Sequence, residues 1–187
     1  MIKGFVIFLC GVLIGGIVVW KGLVFGQPKV TASADSKVDV AKLGSDVERL
    51  NNITPNLSHV MADVSFQFAN LWYAGQKKNW PLAMFYYNET RGRIRWMLRI
   101  NPNPKTPQGD VVNLQGIFDG IDTSSLASLK EAIEKKNSSD FDGAYKQMLE
   151  SCYACHKSAG RPYLRPMVPT SPPQTILNYD PEAKWPS

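Results

Sequence analysis

Cysteine is scarce in this chain: three residues in 187, with only two histidines. Three cysteines cannot staple a chain of that length, so a disulfide-framework fold is excluded. Charge is sparse as well, at 20% of residues. From Gly22 onward 19 basic residues face 16 acidic ones. That small surplus gives no electrostatic footprint for nucleic acid, despite a pI of about 9.1. Only one segment is apolar enough to cross a bilayer, which excludes a multi-span transporter. No stretch alternates apolar and polar residues for long enough to suggest a sheet. What is abundant is buryable surface: 44% hydrophobic and 11% aromatic residues, enough for one globular core and too much for a wholly disordered chain.

The apolar segment is N-terminal. Gly4 to Trp20 (GFVIFLCGVLIGGIVVW) carries no charge. As a helix those residues reach ~26 Å, and snorkelling of Lys21 extends the span through Phe25. Trp20 and Lys21 suit a membrane–water boundary. The rival reading is a cleaved signal peptide, because Ala32-Ser33-Ala34 has the form of a cleavage site. It lies far beyond the apolar core, with Lys21 and Pro28 between, which favours an uncleaved anchor over residues 1–26. Gly11 and Gly15 form a G-x-x-x-G pair and offer a dimer face. Cys10 lies mid-span and reads as an apolar packing residue. Basic residues flank both sides of the span, so they do not fix its orientation.

Cys152-Tyr153-Ala154-Cys155-His156 is a C-x-x-C-H motif, the attachment pattern of a c-type haem. Two thiols on one helical turn can each add to a porphyrin vinyl group, and the adjacent imidazole then meets the iron as its proximal ligand. Zinc would need four ligands, and only His59 and Cys10 remain elsewhere. A thioredoxin-like dithiol would follow a strand, and no strand pattern precedes the motif. A single covalent haem c on Cys152, Cys155 and His156 is the expectation. Because such haems are attached outside the bacterial cytoplasmic membrane, the C-terminal domain is expected in the periplasm, behind a single-pass inner-membrane anchor.

Residues 27–50 read as a polar tether, and residues 51–160 contain four helical segments. The first opens at Thr54-Pro55, a cap followed by proline at the first helical position, and runs to Gly75. The second follows Asn79 and ends near Ile100 at Asn101-Pro102. A loop, NPNPKTPQGD, leads to a third over roughly Ser124 to Lys136, with a helical stretch near Val111 to Phe118 ahead of it. The fourth starts at Ser139 or Asp140 and carries the C-x-x-C-H. Short connections imply an all-α fold, an antiparallel four-helix bundle. In such a bundle the start of the first helix lies at the same end as the haem motif. There Leu57, Val60, Met61, Val64, Phe68 and Leu71 share one stripe, while His59 lies on the opposite face. Met61 is therefore the candidate sixth ligand and His59 a surface residue. If Met61 only packs, the iron is five-coordinate in an apolar pocket suited to small gases such as NO and CO.

A C-terminal C-x-x-C-H on the fourth helix, with a methionine available on the first, resembles the class II cytochromes c, the group of cytochrome c′ and its low-spin relatives. The stretches LWYAGQKKNWPLA and ESCYACHKSAG carry the same resemblance. It covers about residues 51–160 and implies a haem c held by Cys152, Cys155 and His156, with Met61 matching the low-spin members' ligand. The membrane anchor and the tail after residue 160 depart from that group's secreted form.

Arg91, Arg95 and Arg99 form one basic stripe, read as a solvated face, a set of propionate partners or a dock for an acidic redox protein. Trp72, Tyr73, Trp80, Phe85, Tyr86, Tyr87 and Trp96 are expected in the core or against the haem. Seven prolines after residue 160 exclude regular structure from the 161–187 tail. It is expected either to wrap over the haem edge or a partner, or to stay disordered. No acid–base pair or nucleophile accompanies the haem motif, so the chain reads as a carrier of single electrons and not an enzyme. Its partners are then redox proteins or a membrane redox complex. The rivals are a gas-binding haem protein and a structural haem subunit of a membrane complex.

Overall fold

The computed structural model describes residues 39–173 and 177–184. The expected anchor, with Cys10, Gly11 and Gly15, lies outside the described residues, as do the Ala32-Ser33-Ala34 sequence and the first part of the tether. The chain divides into two units, residues 1–43 and 44–187. Among the described residues no helix is long and apolar enough to cross a membrane.

The described chain is all-α. Its helices are α1 (Val40–Ile53), α2 (Leu57–Gln76), α3 (Trp80–Ile100), α4 (Leu114–Thr123), α5 (Ser125–Glu134) and α6 (Ser138–Ser158). The nearest thing to a strand among these residues is one isolated bridge, Lys105 to Val111.

Four helix starts rest on asparagine caps, that of α4 being Asn113, which accepts from the Gly116 amide at 2.9 Å. Asn56 accepts from the His59 amide at 3.1 Å, Asn79 from Leu82 at 3.2 Å, and Asn137 from Ser139 and Asp140 at 3.0 and 3.2 Å. The cap of α2 is thus Asn56 and not Thr54. The reason is α1, a helix within the segment expected to be a tether through residue 50. Thr54 belongs to its end and donates its hydroxyl to the Leu50 carbonyl at 2.7 Å. The third expected helix is two helices. Ser124 and Thr123 turn their hydroxyls back onto the Gly120 and Asp119 carbonyls, close α4, and leave α5 to start afresh at Ser125.

Helices α2 and α3 pack as one hairpin and α5 and α6 as another; α3 meets α5, and α4 leans on α5 and α6. The stripe read from the sequence of α2 is the buried one: Val60, Val64, Phe68 and Leu71 are core, with Leu57 and Met61 packed against it. Opposite them, α6 contributes Phe141, Tyr145 and Met148. The two helices run antiparallel in a register fixed by aromatic contacts. Phe68 stacks on Tyr145 with centroids 4.2 Å apart, Trp72 lies 4.8 Å from Tyr145 and 6.1 Å from Phe141, and Gln76 donates to Asp142 at 2.6 Å. Of the seven aromatics expected inside, Tyr86 and Tyr87 are buried and Trp72, Tyr73 and Trp80 are half-buried. Phe85 and Trp96 are 53% and 45% exposed, and neither is among the buried residues of α3.

The described residues of the proline-rich tail have no regular structure, and they are packed. Tyr73 donates to the Pro169 carbonyl at 3.1 Å, Asn79 to the Tyr179 carbonyl at 3.2 Å, and the Tyr179 hydroxyl to Asn70 at 2.6 Å. It leaves the end of α6 and returns along α2 toward the α2–α3 connection, where Tyr179 is buried beside Tyr73.

Candidate functional site

The site is assembled by the last two turns of α6 and the chain just after it. Cys152 and Cys155, one turn apart, are half-buried free thiols packed against the core. Burial pushes the Cys152 thiol up to about 12, and it raises Cys155 as well.

His156 is held by the chain that leaves α6. The helix closes with Ala159 donating to Cys155 and Arg161 donating to the His156 carbonyl at 2.8 Å. Gly160 takes φ +71°, the left-handed conformation of a helix stop. A turn from Arg161 to Leu164 then aims the Leu164 carbonyl at the ring, 2.9 Å from Nδ1. A carbonyl only accepts, so in the neutral ring Nδ1 carries the hydrogen and Nε2 the lone pair. That arrangement is the usual outer support of a metal-ligating histidine. The Tyr153 hydroxyl fastens the same segment through the Pro162 carbonyl at 3.2 Å.

A loop between α3 and α4 presses on this corner. A Cβ on Gly160 would lie 2.8 Å from Pro107 and 3.1 Å from Thr106. Neither the Leu164 carbonyl nor the Thr106-Pro107 contact is readable from the sequence. The glycine stop after HKSA is visible there, but a backbone acceptor leaves no residue-type signature.

Met61 is half-buried on α2 and packs against the core. Carrying the register of the Phe68–Tyr145 and Gln76–Asp142 contacts up the two helices sets Met61 level with the stretch Cys152 to Lys157. His59 is exposed, on the other side of α2. Among the described residues no three His, Cys, Asp or Glu side chains converge on a common point as the ligands of a bare metal ion would. Cys152, Cys155 and His156 instead present two thiols and one imidazole separately along the helix. This donor set fits a haem c, which takes the thiols at its periphery and the imidazole at its iron.

The arginine stripe is not uniformly solvated. Arg91 forms a two-point ion pair with Asp122 of α4, both contacts at 2.6 Å. Arg95 and Arg99 are exposed beside it. The Arg91 guanidinium, with help from Arg95, holds the Asp122 carboxyl below its ordinary range.

No protein-family model, curated protein or solved structure matches the chain.

Proposed function

We propose that the chain is a monohaem c-type cytochrome that carries single electrons, built as a four-helix bundle of the class II kind from α2, α3, α5 and α6. Cys152 and Cys155 hold the haem covalently, His156 is the proximal ligand, and Met61 is the sixth. Bound there, the haem supplies a one-electron iron couple. The observation that carries the reading is the supported imidazole: a C-x-x-C-H histidine whose Nδ1 donates to the Leu164 carbonyl, leaving Nε2 for the iron. The protein's own part is to fix that tautomer and ring plane, to bury both sulfurs, and to hold apolar side chains of α2 over the site. The reading includes an N-terminal membrane anchor with the haem domain on the periplasmic side. It also takes the partners to be redox proteins or a membrane redox complex, and it assigns no catalytic residue.

The test is expression of the full chain with a c-type haem maturation system, followed by mass spectrometry and haem staining under denaturing conditions. One covalent haem is expected, lost in a Cys152→Ala/Cys155→Ala variant; a chain that matures without haem overturns the proposal. Ferric optical spectra beside a Met61→Ala variant read the sixth ligand. A low-spin haem with a far-red sulfur-to-iron band, absent from the variant, is the expected result. A high-spin wild type unchanged by the substitution, whose ferrous form takes up carbon monoxide, overturns Met61 ligation and favours gas binding.

A further inference from the structure

Between α3 and α4 lies a cleft of about 230 Å³, lined by Arg91, Arg95 and Arg99 on one side and by Gln115, Asp119 and Asp122 on the other, with Leu98 and Phe118 at its base. Its charges are unequally satisfied. Arg91 is fully engaged by Asp122. Asp119 accepts from the Gln115 amide at 2.8 Å. Arg95 and Arg99, on successive turns of α3, form no ion pair among the described residues, whereas Arg93 on another face has Glu89. Three guanidiniums therefore face two carboxylates, and one positive charge is left over.

We propose that this cleft binds a carboxylate through Arg95 and Arg99. Two guanidinium forks one helical turn apart match the paired oxygens of such a group. The Arg91–Asp122 pair forms a fixed wall, and the lining of the cleft is mainly polar, which suits a charged head group and not a long apolar stem. Charge selects the class of anion. One negative charge neutralises the surplus, whereas a phosphate dianion would leave excess negative charge beside Asp119 and Asp122. The three-residue connection between α2 and α3 makes residues equally far from it level, which sets Arg95 abreast of Met61. The cleft thus lies at the C-x-x-C-H end of the molecule. The carboxylate comes either from a small free acid or from a glutamate or aspartate of a docked protein. The proposal does not depend on the haem reading.

The test is NMR observation of arginine Nε–Hε signals in the full chain in detergent at low salt, titrated separately with butyrate, a hexaglutamate peptide and inorganic phosphate. Saturable shifts at Arg95 and Arg99 are expected with a carboxylate probe, with Arg93 unmoved as the internal control. Affinity should fall about tenfold or more in Arg95→Gln and in Arg99→Gln, both at exposed positions. Response to butyrate alone identifies a free-acid site; response to the peptide alone identifies a partner's side chain; response to both leaves the carboxylate site standing. No response to either, equal movement of Arg93, or binding of phosphate as tight as that of the carboxylates overturns it.

Discussion

The imidazole Nδ1 of His156 and the carbonyl oxygen of Leu164 lie 2.9 Å apart across the turn that ends α6. The contact couples the C-x-x-C-H motif to the tail: the segment that supports His156 is the same one that continues to Pro169 and Tyr179 along α2. In the neutral ring of His156, nitrogen NMR of the chain without cofactor is expected to show a single tautomer with the hydrogen on Nδ1. A mixture of tautomers, as for a freely solvated ring, would show that the Leu164 carbonyl does not orient the imidazole.

A second prediction concerns the far end of the tail. Tyr179 donates at 2.6 Å to Asn70, whose side chain is wholly buried within α2 and donates in turn to the Phe66 carbonyl. Removing the hydroxyl takes away one hydrogen bond of a buried side chain, at about 1–2 kcal/mol. Tyr179→Phe should lower the urea midpoint accordingly and raise hydrogen exchange across residues 163–171 and 177–179 before the core responds. Unchanged exchange in that segment would mean that the tail is held by the Pro169 and Asn79 contacts alone.

Much of this arrangement is legible in the residues, and the failures have physical causes. The stripe Val60, Met61, Val64, Phe68, Leu71 shows α2's inner face because a 3.6-residue period survives any tertiary context. Asn79 before Trp80-Pro81 marks the start of α3. The cap at Asn56 is hidden because Thr54 before a proline carries the same chemical signature, and only the presence of α1 removes it from consideration. The split at Ser124 depends on two hydroxyls folding back onto carbonyls, a choice open to serine and threonine anywhere. The Leu164 carbonyl and the packed tail are out of reach because backbone acceptors and long-range contacts have no local pattern.

Gly75 tests how closely α2 and α6 approach. It is buried in the last turns of α2, and a Cβ there would clash with the ring edge of Phe141, itself fully buried. On an exposed helix alanine would gain up to about 1 kcal/mol over glycine. Here overpacking should outweigh that gain, leaving Gly75→Ala about 1–3 kcal/mol less stable. Combining it with Phe141→Leu should cost less than the two single changes together. A thermal midpoint in Gly75→Ala at or above the wild type's would show that the helices part easily.

The sharpest pH dependence should come from tyrosines. Tyr145 is 1% exposed, stacked on Phe68, and donates its hydroxyl to the Phe68 carbonyl at 2.9 Å. Burial raises its pKa far above the ordinary tyrosine value, and burial raises Tyr87 and Tyr179 in the same direction. A phenol with a raised folded-state pKa stays protonated in the folded chain while the unfolded chain loses its proton above pH ~10. The unfolded state then binds fewer protons, so stability is intact below that pH and declines as pH rises toward the folded-state values. Each such tyrosine contributes a slope of at most about 1.4 kcal/mol per pH unit. Tyr145→Phe should cost about 1 kcal/mol at pH 8 through the lost hydrogen bond, yet decline less steeply above pH ~10, so that the two stability curves converge. Parallel curves from pH 8 to the alkaline limit in urea titrations would mean that Tyr145 ionises in the folded protein as it does in the unfolded chain.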